Sequence, residues 1–172
     1  MGFLIFGYRK LDIIHRRNDL QYRLTNLTRK LTDLQQYSAN IADGSVSMSD
    51  MMNTPCSMFG RQLMFMNYAH NTALFGAQQN MAMMQPQIMM QSQQMDPNSQ
   101  MMYQNWIFQN LYKQQREQVA KQEAKLLNAQ EKEIEAEKTK IETQLKLLEQ
   151  DYQACVDAEK KSIELFKPEY TA

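Results

Sequence analysis

Apolar residues in the first part of the chain recur at alternating steps of three and four positions. This spacing is typical of the packed face of a helix in a coiled coil. Only Arg17 and Ser38 interrupt it, so we predict one helix from about Tyr8 to Ala42, with Gly44 placed to end it. An isolated helix would expose this stripe to water, so we expect it to pack against a partner. We call the stripe the N-terminal seam; it consists of Ile13, Leu20, Leu24, Leu27, Leu31, Leu34 and Ile41.

A second stripe lies near the other end of the chain, where apolar residues repeat every seven positions. Glu131 and Lys138 stand at alternate positions of this stripe, so we expect that stretch to pack weakly or to face solvent. The helix should end at Pro168, because a proline disfavours helix in the residue before it. We call the stripe the C-terminal seam; it consists of Leu127, Ile134, Ile141, Leu145, Leu148 and Tyr152, and we expect Val156, Ile163 and Phe166 to continue it.

The two seams are of similar length and could pack against each other. Residues 1–44 contain seven basic and four acidic residues, a net charge of +3, whereas residues 113–172 contain eleven basic and thirteen acidic residues, a net charge of −2. This weak complementarity agrees with an antiparallel hairpin within one chain. Pairing between the arms of two subunits uses the same stripes, so the pattern leaves both arrangements open.

Between the arms lies a segment that is nearly free of charge. Fourteen of the fifteen methionines fall between Met48 and Met102, and residues 45–112 carry only three charged side chains. A three-and-four spacing, formed by Phe59, Leu63, Met66, His70, Ala73 and Ala77, predicts a central helix from about Pro55 to Met84, with Thr54 as the N-cap.

The central helix is apolar on nearly all its faces, and such a helix is usually buried on several sides. A chain of this size can hardly cover it, so we expect it to be an assembly interface. Pro86 and Pro97 bracket a predicted linker, and a third helix should run from about Asn98 to Lys167. We predict that the assembly centre comprises Phe59, Leu63, Met66, Leu74, Phe75, Met81 and Met84.

Few turn-forming residues punctuate the chain, since its 172 residues include only five glycines and four prolines. We therefore predict an all-α protein: a long-helix coiled coil or helical hairpin with a methionine-rich central helix. The predicted organisation is an N-terminal helical arm (1–44), a low-charge centre (45–104) and a long C-terminal helical arm (105–172).

Candidate chemistry changes this interpretation little. Cys56 and Cys155 lack a metal-ligand spacing and are predicted to be buried structural thiols, and His70 to be an interior residue. Acidic residues interrupt the basic cluster between Arg9 and Arg23, which disfavours nucleic acid as a partner. We predict no catalytic residue, no cofactor and no metal site, and we predict that the protein is not an enzyme.

These patterns favour a structural subunit that self-assembles through its helical arms and its methionine-rich centre, in a filament, a ring or tube, or a phage virion. Its expected partners are copies of itself and other structural proteins. Two alternatives stay open: a membrane-active, translocator-like protein that contacts but does not span a bilayer, and a methionine-rich protein that binds a soft metal or client proteins. No cleaved secretion signal is predicted, so the expected location is the cytoplasm, a virion, or a surface assembly exported without one.

Overall fold

The computed structural model describes residues 2–42, 46, 48–93 and 95–165. Over these residues the chain forms α-helices and no β-strand, which confirms the predicted all-α class. The four helices are α1 (Gly2–Ile41), α2 (Met48–Met52), α3 (Cys56–Ser92) and α4 (Pro97–Leu165). Four positions of the sequence predictions, Gly44, Phe166, Lys167 and Pro168, lie outside the described residues.

Helix α1 begins six residues before the predicted first helix, at Gly2 rather than Tyr8, and ends one residue before it, at Ile41. The added turns consist mainly of leucine, isoleucine and phenylalanine, which helices tolerate, and Gly7 costs only about 1 kcal/mol there. Helix α4 begins at Pro97, one residue before the predicted start. The backbone N–H of Gln100 donates to the carbonyl oxygen of Asp96 at 2.9 Å, which places Pro97 in the first turn, where its missing N–H costs nothing.

Helix α3 differs from the prediction at both ends. The residue that precedes it is Pro55, and Thr54 does not cap it, because the Thr54 hydroxyl donates backwards to the carbonyl oxygen of Asp50 at 2.6 Å. The helix also continues through Pro86, where we predicted a linker, and ends at Ser92. Pro86 is exposed, so water can satisfy the backbone carbonyl that it deprives of a donor, while the buried Ile88 anchors the turns beyond it.

The chain divides into two compact units. Unit 1 comprises Met1–Leu31 and Lys132–Ala172, and unit 2 comprises Thr32–Glu131. In unit 1, α1 and α4 are antiparallel, since rising residue numbers in α1 meet falling numbers in α4. The pairs that show this are Lys10 with Glu159, Arg17 with Glu149 at 3.0 Å, and Arg23 with Glu137 at 2.9 Å. The arms therefore form a helical hairpin within one chain.

Unit 2 is built from the end of α1, α2, α3 and the first half of α4. Helix α3 is antiparallel to α4, because Arg61 contacts Glu123 whereas Gln91 contacts Tyr103. The end of α1 is parallel to the start of α3. Ser57 bonds to Asp33 and Arg61 covers the ring of Tyr37, and both pairs are 24 positions apart (57 − 33 and 61 − 37). The connection through α2 thus folds back, so that three helices meet in this part of unit 2.

Candidate association surface

The N-terminal seam lies along the buried side of α1, as its spacing predicts. None of its seven residues is exposed. Ile13, Leu27, Leu34 and Ile41 are buried, and Leu20, Leu24 and Leu31 are half-buried.

The C-terminal seam is also turned inward, but its last part follows a different register from the predicted one. Cys155 is buried and continues the seven-residue repeat from Leu127, whereas Val156 is half-buried and Ile163 is exposed. The expectation for Ile163 was therefore wrong, because the seven-residue repeat continues from Leu148 to Cys155 and does not shift by one position to Val156. Among the predicted seam residues, Leu127 and Ile141 are buried, and Ile134, Leu145, Leu148 and Tyr152 are half-buried. Glu131 and Lys138 are half-buried as well, rather than facing solvent.

A polar network fixes α3 against its two neighbours in unit 2. The Nε atom of Arg61 donates to Oε1 of Glu123 at 2.7 Å, and its Nη1 atom donates to Oε1 of Gln130 at 2.7 Å. The same guanidinium group lies 5.6 Å from the ring centroid of Tyr37, within the range of a cation–π contact. One side chain of α3 thus binds both α1 and α4. A different packing of the three helices would leave these polar groups without their partners, so the network helps to specify how the helices pack.

Tyr37 is the buried member of this network, with its hydroxyl group donating to Oε1 of Glu123 at 3.3 Å. Burial raises the pKa of this hydroxyl above its ordinary value, and the negative charge of Glu123 raises it further, while Arg61 acts in the opposite direction. Tyr37 is therefore neutral in the folded protein, as a hydrogen-bond donor to a carboxylate must be.

A second polar group lies beside this network, at the start of α3. The side-chain amide of Asn40 donates to the carbonyl oxygen of Asp50 at 3.2 Å and to the hydroxyl oxygen of Thr54 at 3.0 Å. The amide oxygen of the fully buried Gln62 contacts the same hydroxyl group. These contacts hold the connection through α2 against α3, although no pattern in the sequence indicates a role for Asn40 or Gln62.

The inner side of α3 is displaced from the predicted stripe over its first turns. Between Cys56 and Ala77 the buried residues are Gln62, Phe65, Ala69, Ala73 and Ala77, so the prediction holds at Ala73 and Ala77 but not before them. Both stripes have helical spacing, and the prediction followed the one that contains more large apolar side chains. From Ala69 to Ala77 the buried residues are alanines, which let helices approach closely, and a side chain at Gly76 would lie 3.2 Å from that of Gln115.

The predicted centre residues are consequently divided between the inside and the outside of unit 2. Leu63, Met66, Leu74 and Met81 are half-buried. Phe59, Phe75 and Met84 are exposed. His70, which we expected inside, is exposed too, and its Nδ1 atom lies 2.8 Å from the Tyr112 hydroxyl oxygen.

The outer sides of α3 and of the first turns of α4 expose large apolar side chains. We call this set the central surface. Arg61 is the only Asp, Glu, Lys or Arg residue in α3, and α4 has none before Lys113. The central surface consists of Phe59, Met64, Tyr68, Phe75, Met83, Met84, Met89, Met90, Met101, Met102 and Trp106.

Two grooves between α3 and α4 interrupt the central surface. The larger has a volume of about 560 Å³ and is lined by Met84, Ile107 and Leu111, with Tyr103 and Trp106 on α4. The rings of Tyr103 and Trp106 are stacked, with centroids 6.3 Å apart and an interplanar angle of 13°. Tyr103 is also held by its hydroxyl group, which donates to the Gln91 side chain at 2.8 Å. The groove therefore combines a rigid aromatic wall with adaptable apolar side chains. The rest of its lining is polar or charged and consists of Asn110, Lys113, Gln114 and Glu117.

The second groove has a volume of about 290 Å³. Its apolar lining includes Met81, Ile88, Met89 and Phe108, and glutamines supply the polar part. Both grooves thus offer concave apolar surface beside convex apolar side chains.

Other candidate chemistry is sparse in the part of the chain that the structure describes. Cys155 is buried, as we predicted, but Cys56 is exposed at the first turn of α3, so that half of the prediction was wrong. His, Cys, Asp and Glu side chains of the described residues do not gather in groups that could hold a metal ion. No described helix has an apolar stretch of the length needed to cross a bilayer.

No protein-family model, no curated protein and no solved structure matches this chain.

Proposed function

We propose that this protein is a structural subunit that associates with copies of itself through the central surface. The observation that carries the proposal is the exposure of large apolar side chains where the chain is almost free of charge. Phe75 is 69% exposed and Trp106 is 62% exposed. Burying one such side chain contributes about 1.5 to 3 kcal/mol, and contiguous exposed apolar patches in soluble proteins usually mark interaction sites.

The composition around these side chains favours a second copy as the partner. Exposed glutamine and asparagine residues, such as Asn71, Gln78 and Gln87, separate the methionines and aromatic residues. Each amide carries both a donor and an acceptor, so two copies of such a surface can satisfy each other. A strongly charged partner would find few opposite charges here. Transfer of many amides into lipid without partners would cost several kcal/mol for each amide.

The intrachain hairpin supports giving this role to the centre rather than to the arms. The seam residues of unit 1 already pack within one chain, so they are not free to join subunits without unfolding the hairpin. We therefore propose assembly through the centre, with the arms as its intramolecular scaffold. A filament, a ring or tube, and a virion component are all assemblies that such a subunit would suit.

The test is the size of the purified protein, by light scattering at several concentrations and by negative-stain electron microscopy. We expect large uniform particles or filaments from the unaltered chain. The double substitution Phe75→Ser and Trp106→Ser should reduce assembly while leaving the helix content unchanged. The matched control is Tyr22→Ser with Leu126→Ser, which removes equally exposed side chains outside the central surface. A monodisperse monomer at every concentration, or equal effects of both double variants, would refute the proposal.

One observation favours a second candidate function, contact with a membrane surface. Near its start α1 exposes Leu4, Ile5, Tyr8 and Leu11. An apolar cluster of this kind can insert at the boundary between headgroups and acyl chains. Flotation with liposomes tests it: the substitution of Leu4 and Ile5 by Ser should abolish binding if this cluster inserts, and Phe75→Ser should leave binding unchanged.

A further inference from the structure

Unit 1 contains a groove, separate from the central surface, at which part of the hairpin seam is open to solvent. It has a volume of about 440 Å³ and lies between α1 and the second half of α4. Its apolar part is formed by Leu20, Leu147 and Leu148. Leu147 is 57% exposed even though it lies beside two half-buried leucines, so this apolar strip continues outward to solvent. Arg16, Asp19 and Gln144 complete the lining.

The α1 edge of this groove carries charges of alternating sign. Asp12, Arg16, Asp19 and Arg23 follow one another at steps of four, three and four residues, so they lie along one side of the helix. Arg16 pairs with Asp12 at 3.0 Å, but their side chains are 68% and 46% exposed. Arg23 pairs with Glu137 of α4 at 2.9 Å, and these side chains are 66% and 40% exposed. Exposed ion pairs are weak, so these charges remain available to a partner at little cost.

A row of alternating charges is complementary to the same row running in the opposite direction. If two α1 helices lie antiparallel about a two-fold axis between residues 17 and 18, Arg16 of each copy faces Asp19 of the other. The same axis brings Asp12 opposite Arg23, because 16 + 19 and 12 + 23 both equal 35. A uniformly acidic or basic partner would instead meet a like charge at every second position.

The same axis passes close to the exposed leucine. Arg17 pairs with Glu149 across the hairpin, so residues 17 and 18 of α1 lie near the level of Leu147 and Leu148 in α4. We propose that this groove is a second self-association site, in which two copies pair through an isologous contact. Leu147 of both copies fills the middle of the contact, and reciprocal Arg16–Asp19 pairs flank it. This proposal is independent of the central surface, since all its residues belong to unit 1.

The first test compares two leucines of α4 that are equally exposed, Leu147 at 57% and Leu126 at 58%. Both are changed to Asp in the full-length chain carrying Phe75→Ser and Trp106→Ser, so that the central surface does not contribute. Sedimentation equilibrium then gives the dimer dissociation constant. We expect Leu147→Asp to raise it at least tenfold and Leu126→Asp to leave it within about twofold. A background chain that is monomeric throughout, or equal effects of the two changes, would overturn the proposal.

The second test exchanges charges, again in the full-length chain carrying Phe75→Ser and Trp106→Ser. Arg16→Asp makes both facing positions acidic, and Asp19→Arg makes both basic, so neither variant should dimerise alone. In a 1:1 mixture, an acidic pair of one chain faces a basic pair of the other, and a heterodimer should form with near-parental affinity. Differently tagged chains and pull-down detect it, with circular dichroism to confirm that both variants are folded. Dimerisation of either variant alone, or its absence from the mixture, would contradict the proposed contact.

Discussion

Arg61 shows how one residue can organise the packing of several helices. It is the only arginine or lysine of α3, and it reaches Glu123 and Gln130 of α4 while covering the ring of Tyr37 in α1. The Arg61 and Glu123 side chains are only 30% and 17% exposed. Water therefore has limited access to either charge, and each is stabilised largely by the other. Removing one partner should therefore cost more than losing a surface pair.

We predict that Arg61→Met destabilises the protein by about 1 to 3 kcal/mol, because the largely buried Glu123 side chain loses its ion pair and retains the hydrogen bond from the Tyr37 hydroxyl. The measurement is chemical denaturation followed by helical circular dichroism. The matched control is Arg23→Met, since the Arg23–Glu137 pair is 66% and 40% exposed and should contribute about 0.5 kcal/mol or less. Adding Glu123→Met to Arg61→Met should recover part of the loss. Equal effects of the two single substitutions would show that the network has no special role.

Individual residues differ in how far the sequence could place them. Leu27 and Ile41 are buried as predicted, because a heptad stripe depends only on spacing along one helix. Tyr37 is fully buried beside that stripe, and Gln62 is fully buried on α3. Both become interior only because a third helix packs there, and no local pattern reports where a third helix will lie.

At the scale of the helices, small residues set how closely α3 approaches α4. Ala69, Ala73 and Ala77 are fully buried, and Gly76 lies against the side chain of Gln115. Gly60, in the same helix, has open space where a side chain would be. Substitution of Gly60 therefore measures helix propensity alone, whereas substitution of Gly76 also measures the crowding between α3 and α4.

We predict that Gly60→Ala stabilises the protein by about 1 kcal/mol, the difference in helix propensity. Gly76→Ala should gain less or destabilise, because its methyl group would lie 3.2 Å from the Gln115 side chain and force it to move. Thermal and urea unfolding of both variants measure the difference. Combining Gly76→Ala with Gln115→Ala should restore the gain if crowding is the cause, whereas an equal gain from both single variants would show that α3 and α4 are not closely packed there.

The seams predicted the course of the long helices better than their ends. The start of α4 was predicted within one residue because Pro97 marks it, whereas α1 begins six residues before the predicted start. Pro86 suggested an end to α3 because proline removes one hydrogen bond. The helix continues because Ile88 and Ser92 are buried beyond it, and burial of this kind depends on tertiary contacts.

For the whole molecule, the sequence predicted that the two seams can pack together but not whether they do so within one chain or between two. An intrachain hairpin and a coiled coil between subunits would bury the same seams. The structure shows the hairpin, in which Lys10, Arg17 and Arg23 meet Glu159, Glu149 and Glu137 in antiparallel order. Three basic residues on one helix thus face three acidic residues on the other, which explains why the weak difference in net charge pointed in the right direction.

The placement of the two cysteines gives the protein a built-in reporter of its own opening. Cys155 is buried in unit 1, whereas Cys56 is exposed in unit 2. An alkylating reagent should modify Cys56 at once and Cys155 only while the α1–α4 pair is transiently open. When reclosing is fast, the ratio of the two alkylation rates gives the equilibrium constant for opening. Alkylation of Cys155 slows about tenfold for each 1.4 kcal/mol of opening free energy. Mass spectrometry of timed samples would therefore follow how firmly the arms are closed, before and after assembly, with no label added to the chain.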